Sequence, residues 1–266
     1  MNTRQIVDDL GRTVTLPAEP QRIISLCPSI TETVLTLVSP ARVVGVTKFC
    51  IHPKEIVQLL PKVGGTKTVD IEAIHVLKPD LIIAEKEENL KTTVEELEKH
   101  YPVIVFNVET YTQALNMVLQ LGNILNNITL AQEIVASIEA TFTSVVTSPS
   151  IKVLYFIWRK PFMVAGKNTY VNSILEKIGL QNCIISYSNE RYPVIQDLAQ
   201  ITDLEPHFIF LSSEPYPFKE KHIAEFKPHF PHAKILLVEG EMFSWYGVRM
   251  QKAPEYFTYL LAQLES

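Results

Sequence analysis

The sequence predicts an α/β protein of two lobes, each built on a parallel-type sheet, joined by a single long backbone helix. Three observations predict it. From Arg22 to Phe106 short β-branched runs alternate with amphipathic helical segments. Residues 153–238 repeat that alternation. Between them lies a stretch without strand character that carries a four-residue apolar period. Near-continuous apolar strands alternating with helices indicate a parallel sheet covered on both faces. The 266 residues, 47% of them hydrophobic and 20% charged, suffice for two lobes with real cores.

In chain order, Arg22–Leu26 reads as a strand, followed by Cys27-Pro28-Ser29 and a helix starting near Ile30, where Ser29 and Glu32 form a capping-box pattern. Val43–Val46 is a second strand and Pro53–Leu60 a short helix. Asp70 caps a helix with Ile71, Ile74 and Leu77 on one face, and Leu81–Ala84 is a buried strand. Asn89–His100 is a charged helix and Val103–Phe106 a fourth strand. In the second half Val153–Ile157, Phe208–Leu211 and Ile235–Val238 read as strands. Tyr170–Ile178, a segment near Ile195–Ala199, Lys219–Phe226 and Pro254–Leu264 read as helices, with Pro254 in the first turn, where a missing N–H costs little. Between the halves, Leu130, Ile134, Ile138 and Phe142 recur every four residues after a second capping-box pattern, Thr129 and Gln132. This predicts a helix of about 19 residues, roughly 28 Å long, stopped by Ser148-Pro149-Ser150. The division expected is therefore an N-terminal lobe over 1–111, an inter-lobe helical segment over 112–149 with its helix near 129–147, and a C-terminal lobe over 150–266. Such a helix would hold the lobes at a nearly fixed separation and limit hinge closure.

Composition narrows the partners. The net charge of −5 and the lack of any basic run argue against nucleic acid. No segment approaches 18 consecutive apolar residues. Asp8 and Asp9 interrupt any apolar run near the start, so no export signal is read there. The protein either stays inside the cell or has its signal outside this sequence. Three cysteines without a CxxC suggest neither a disulfide framework nor a structural zinc site.

The motifs in order carry a resemblance. Asp9-Leu-Gly-Arg-Thr-Val-Thr-Leu-Pro17, Pro20-Gln-Arg-Ile-Ile-Ser-Leu26 and Ser29-Ile-Thr-Glu32 resemble the opening of the periplasmic binding proteins of the iron-siderophore, haem and cobalamin class. Val43–Val46, Val63–Gly65, Ile71–Ile74 and Leu77–Ile83 continue the pattern. Phe162–Gly166 with Ile174–Gly179, then Phe208–Leu211 and the Pro254 helix, complete it over nearly the whole chain. Each motif alone is weak; their order is specific. The resemblance implies two Rossmann-like lobes joined by a backbone helix, the class III periplasmic-binding-protein fold. It implies a monomeric receptor of an ABC importer that captures a metal chelate between its lobes and passes it to membrane permease subunits. It also implies a periplasmic or cell-surface location, although without a signal in this chain the cytoplasm stays open. An acidic residue on each lobe is then expected to dock onto permease arginines, matched here by Glu72 and Glu214.

Ligands of open α/β sheets bind beyond the carboxyl ends of the strands. Those loops hold Phe49, Trp158, Phe162, Trp245 and Tyr246, rings suited to stacking on a large flat ligand, though any of them could be an ordinary core aromatic. Arg159 and Arg249 could meet ligand carboxylates or phosphates, or be solvated charges. Cys27, Cys50 and His52 are weak candidates to reach a chelated metal. His229 and His232 read as surface-loop residues, because the prolines beside them break helical geometry. No resident cofactor is expected. The aromatic loops and modest charge favour a corrinoid or a ferric siderophore, and no tyrosine or histidine matches a haem-ligand motif. No phosphate loop, GxSxG or HExxH points to an enzyme. The alternatives are an intracellular chelate- or corrinoid-binding protein, a metallochaperone or an enzyme on the same plan, or a stand-alone sensor or storage binder.

Overall fold

The computed structural model describes residues 2–145 and 151–264. The chain divides into two compact units. One comprises Met1–Val108, Thr112–Ile138 and Tyr246–Arg249, the other Glu109–Tyr111, Glu139–Trp245 and Met250–Ser266.

The first unit opens with a hairpin of β1 (Thr3–Val7) and β2 (Thr13–Pro17), which the sequence reading did not anticipate. Asp8, nearly buried, ties it down. Its carboxylate accepts the Leu10 and Arg12 N–H groups at 3.0 Å each, and the Val105 N–H at 3.1 Å. Asp8 and Asp9 are thus turn and anchoring residues, Asp9 accepting from Asn107 N–H at 3.0 Å. Next come β3 (Ile23–Ser25), α1 (Pro28–Leu37), β4 (Val43–Val46), α2 (Lys54–Val57), α3 (Ile71–Leu77), β5 (Leu81–Glu85), α4 (Lys91–Glu98) and β6 (Val103–Phe106). The strands form a parallel sheet in the order β4-β3-β5-β6. Its core gathers Ile24, Leu26, Val63, Ile74, Ile82 and Val105, each worth about 1.5–3 kcal/mol on full burial.

The expected start of α1 differs, and that of α3 is as read. Helix α1 begins at Pro28, with Cys27 as N-cap and no side-chain cap bond. Proline's fixed φ suits the first helical position, and Glu32 is drawn away to Arg249 instead of closing a capping box. Asp70 does cap α3, accepting the Ala73 N–H at 3.0 Å.

The segment after β6 holds two helices, α5 (Tyr111–Ile124), which the sequence reading did not place, and α6 (Ile128–Phe142). Asn126 takes φ 60° at the corner between them. A Cβ on Gly122 would lie 2.3 Å from the Ala131 Cβ, so only glycine permits this approach. Helix α6 starts at Ile128 rather than after Thr129, and its 15 residues are shorter than expected. The expected end of the long helix, and the Ser148-Pro149-Ser150 stop, lie outside the described residues. Residues 112–138 cluster with the first unit rather than standing apart as a linker.

The second unit contains β7 (Lys152–Trp158), β8 (Phe162–Val164), α7 (Tyr170–Lys177), β9 (Gln181–Asn182), β10 (Val194–Ile195), β11 (Phe208–Ser212), α8 (Glu220–Phe226), β12 (Lys234–Val238), α9 (Gly240–Ser244) and α10 (Ala253–Leu264). Its sheet runs β10-β8-β7-β11-β12, with β9 beside β7. It is mixed, because β8 pairs antiparallel with both β7 and β10. The segment expected to be helical near Ile195–Ala199 is therefore strand β10 and then a 3-10 turn over Leu198–Leu204, whose Asp197 cap accepts the Ala199 N–H at 2.9 Å. Phe156, Ile209, Leu211 and Phe226 centre the core.

Candidate functional site

In the first unit, the loop after β3, the segment before α3 and the end of β5 are stitched by one side chain. Asn89 Oδ1 accepts the Glu85 N–H at 2.9 Å, while Nδ2 donates to Leu26 O at 3.2 Å and Thr66 O at 3.0 Å. Glu85, at the end of β5, is 2% exposed. One carboxylate oxygen accepts the Glu87 N–H at 2.6 Å and the Glu88 N–H at 2.9 Å, and the other faces the Val108 N–H at 3.4 Å. Burial raises the Glu85 pKa to about 7, against the lowering effect of these N–H donors. Burial raises Glu88 too, partly offset by a hydrogen bond from Thr66 and by Lys67.

Cys27 and Tyr246 are joined to each other. The Cys27 sulfur lies 3.4 Å from Ser29 Oγ and 3.6 Å from the Tyr246 hydroxyl. Burial pushes both the thiol and the phenol well above their ordinary ranges, and Glu85 and Glu88 push them further. Cys50 sits with Thr31 Oγ1 at 3.1 Å and Thr47 Oγ1 at 3.3 Å, buried and likewise raised by desolvation. Both thiols are thus protonated and shielded, and thiolate is the metal-ligating form. No group of three or more His, Cys, Asp or Glu side chains able to hold a metal occurs among the described residues. His52 is half-buried in the loop after β4. Phe49 is 51% exposed in that loop, with Lys48 Nζ 5.2 Å from its ring centroid.

Tyr246–Arg249 belongs to this unit. The Arg249 guanidinium grips Glu32 through Nε to Oε2 at 2.7 Å and Nη2 to Oε1 at 2.9 Å, both side chains almost fully buried. Arg249, expected among the ligand-facing cations, here balances a carboxylate inside the unit. Gly247 makes the turn before it. At φ +85°, a Cβ there would lie 2.1 Å from Thr33 Oγ1. The same hydroxyl accepts the Val248 N–H at 3.1 Å.

In the second unit, Trp158 ends β7, 41% exposed, with its ring edge-on to Tyr216 at 5.8 Å. Phe162 instead packs against Phe156 and Phe226 at the core, the ordinary role for such a ring. Arg159 is held in a fork by Glu225, through Nε at 2.9 Å to Oε2 and Nη2 at 2.7 Å to Oε1. Trp245 is buried, and its indole N–H donates to Glu214 Oε1 at 2.9 Å. The Ser244 hydroxyl donates to the same oxygen. A Cβ on Gly240 would lie 2.4 Å from Glu214 Cγ, so glycine makes room for that side chain. The expected docking carboxylate Glu214 thus already seats Trp245, whereas Glu72 is exposed in the first turn of α3. His222 is buried by α8, with Tyr216 OH 3.4 Å from Nε2. A pocket of about 700 Å³, lined by Lys152, Glu176, Asn182 and Asp203, opens at the amino end of β7, away from the ligand-bearing ends of the strands.

A family model described as periplasmic binding protein matches residues 23–230. The chain belongs to that family. The family is one of binding proteins, so the chain is a binding protein and not an enzyme. The chain is 28% identical over 190 residues to an uncharacterised ABC transporter substrate-binding lipoprotein of Bacillus subtilis, a match covering 66% of this chain and 60% of that protein's length. It is 25% identical over 206 residues to the vitamin B12-binding protein of Vibrio parahaemolyticus, covering 75% and 74%. The petrobactin-binding protein of Bacillus subtilis superposes over 100% of both chains with a TM-score of 0.80 at 14% identity, a likeness of fold. Sequence reasoning placed the loop Ala84–Glu88 at the carboxyl end of its strand but did not single out Glu85, Glu88 or the neighbouring Asn89. The doublet Glu87-Glu88 after an apolar strand reads as a solvated turn, and nothing local announces that Glu85 turns inward.

Proposed function

We propose that this chain is the substrate-binding receptor of an ABC importer, capturing a metal chelate, a corrinoid or a ferric siderophore, and delivering it to membrane permease subunits. The observation that carries the reading is the family match over residues 23–230. The loops described above support it: each unit presents an exposed aromatic, Phe49 or Trp158, beyond the carboxyl end of a parallel strand. No helix among the described residues is long and apolar enough to cross a membrane. The receptor acts outside the cytoplasmic membrane, in keeping with the periplasmic and lipoprotein relatives. Glu72 is the proposed docking carboxylate of the first unit. Glu214 is assigned instead to seating Trp245, since its carboxylate accepts from Ser244 and from the Trp245 indole, both in the second unit.

Titration of tryptophan fluorescence with cobalamin, ferric siderophores and haem tests the reading. Trp158, exposed at the end of β7, is the reporter. Saturable quenching by at least one chelate is expected, and flat titrations with all of them contradict it.

A further inference from the structure

We infer that the chelate is uncharged or cationic and that polyanionic chelates are excluded. The inference rests on the receptor reading and adds the charge class of its ligand.

Anionic chelates are held by guanidinium forks, which match carboxylate and phosphate geometry. The chain has seven arginines, and every one is already engaged by the protein. Arg4, Arg22 and Arg42 donate to the backbone carbonyls of Asn123, Leu77 and Pro20. Arg12, Arg159, Arg191 and Arg249 are paired with Asp8, Glu225, Glu109 and Glu32. Three of these pairs involve loops on the candidate list or beside it, so the cations that sequence reading offered to the ligand are neutralised within their own units.

The first unit supplies carboxyls in their place. Glu85 ends β5 with its carboxylate folded back onto the Glu87 and Glu88 N–H groups, and Glu88 follows on the same loop, half-buried. The loop after β5 also carries Lys86, exposed between Glu85 and Glu87, where three carboxyls, Glu85, Glu87 and Glu88, outnumber it. Lys67 donates to the Glu87 carbonyl and stands against Glu88, and Lys48 lies over the Phe49 ring. A polyanion brought to these loops meets no free fork and meets the half-buried Glu88 carboxyl, with the buried Glu85 behind it. An uncharged or cationic chelate finds the acceptors its N–H groups need.

Isothermal titration of the intact chain at pH 8 tests this with three probes. They are uncharged cyanocobalamin, a ferric trihydroxamate bearing a free ammonium, and a trianionic ferric tris-catecholate. One of the first two should bind at least thirtyfold tighter than the tris-catecholate, and any smaller ratio overturns the inference while leaving the receptor reading intact. Binding of none removes the receptor reading and the inference together. In Glu88→Gln, checked for an unchanged melting temperature, the ratio should narrow at least fivefold. An unchanged ratio overturns the role given to that carboxyl.

Discussion

Arg249 and Glu32, 217 positions apart in the chain, form a two-point ion pair in the interior of the first unit. Removing one partner of a buried pair strands an uncompensated charge. Arg249→Met should therefore destabilise the protein by about 3–5 kcal/mol in urea unfolding. Glu32→Leu combined with Arg249→Met should be less destabilised than either single variant. A double variant whose cost is the sum of the singles contradicts the pairing.

Glu85 makes stability depend on pH in a defined direction. Its folded pKa, about 7, stands above the ordinary 4.5 because of burial. Between those values the folded protein binds more protons than the unfolded chain. The stabilisation is full below about 4.5 and is lost as pH rises through 7. Glu88, also raised, contributes with the same sign. Relative to Glu85→Gln, whose amide oxygen can still accept the loop N–H groups, the native protein should lose roughly 3 kcal/mol between pH 4.5 and pH 8. Chemical denaturation across that range reads the difference, and a pH-independent gap between the two proteins would show that Glu85 is not desolvated.

Gly247→Ala should cost at least about 2 kcal/mol. The left-handed backbone alone penalises a side chain by roughly 1–2 kcal/mol, and the Cβ collides with Thr33 Oγ1. Thr33→Ala in the same chain should recover the collision's share and not the backbone share. Melting temperatures of the single and double variants check this, and a double variant no better than Gly247→Ala removes the hydroxyl from the account.

Glu72 and Glu214 should separate cleanly on charge reversal. Glu72→Lys should leave melting temperature and chelate affinity unchanged and abolish transport in vesicles carrying the permease. Glu214→Lys should lower the melting temperature and shift tryptophan emission, because Trp245 loses its acceptor. Equal behaviour of the two variants would return Glu214 to a docking role.

The fold was legible where periodicity and caps acted locally. Asp70 announces α3 and the alternation announces the strands of both units, because those signals are made within a few residues. Long-range choices were not. Glu32 fits a capping box by spacing, yet its carboxylate finds Arg249 far along the chain. The helix before the Asn126 corner was not placed, since the only start signal read in that stretch was Thr129 with Gln132, and the close fit of Gly122 to Ala131 exists only after folding. Of the candidate rings, Phe49 and Trp158 are exposed, and Phe162, Trp245 and Tyr246 are not. Arg159 and Arg249 could not be told from ligand-facing cations until their partners Glu225 and Glu32 were in place.

Equilibrium dialysis of the intact chain against a corrinoid and a ferric siderophore, with the retained chelate analysed by mass spectrometry, tests the receptor claim most directly. The account predicts one chelate held per chain and recovered chemically unchanged. Retention of neither, or recovery of an altered chelate, contradicts it.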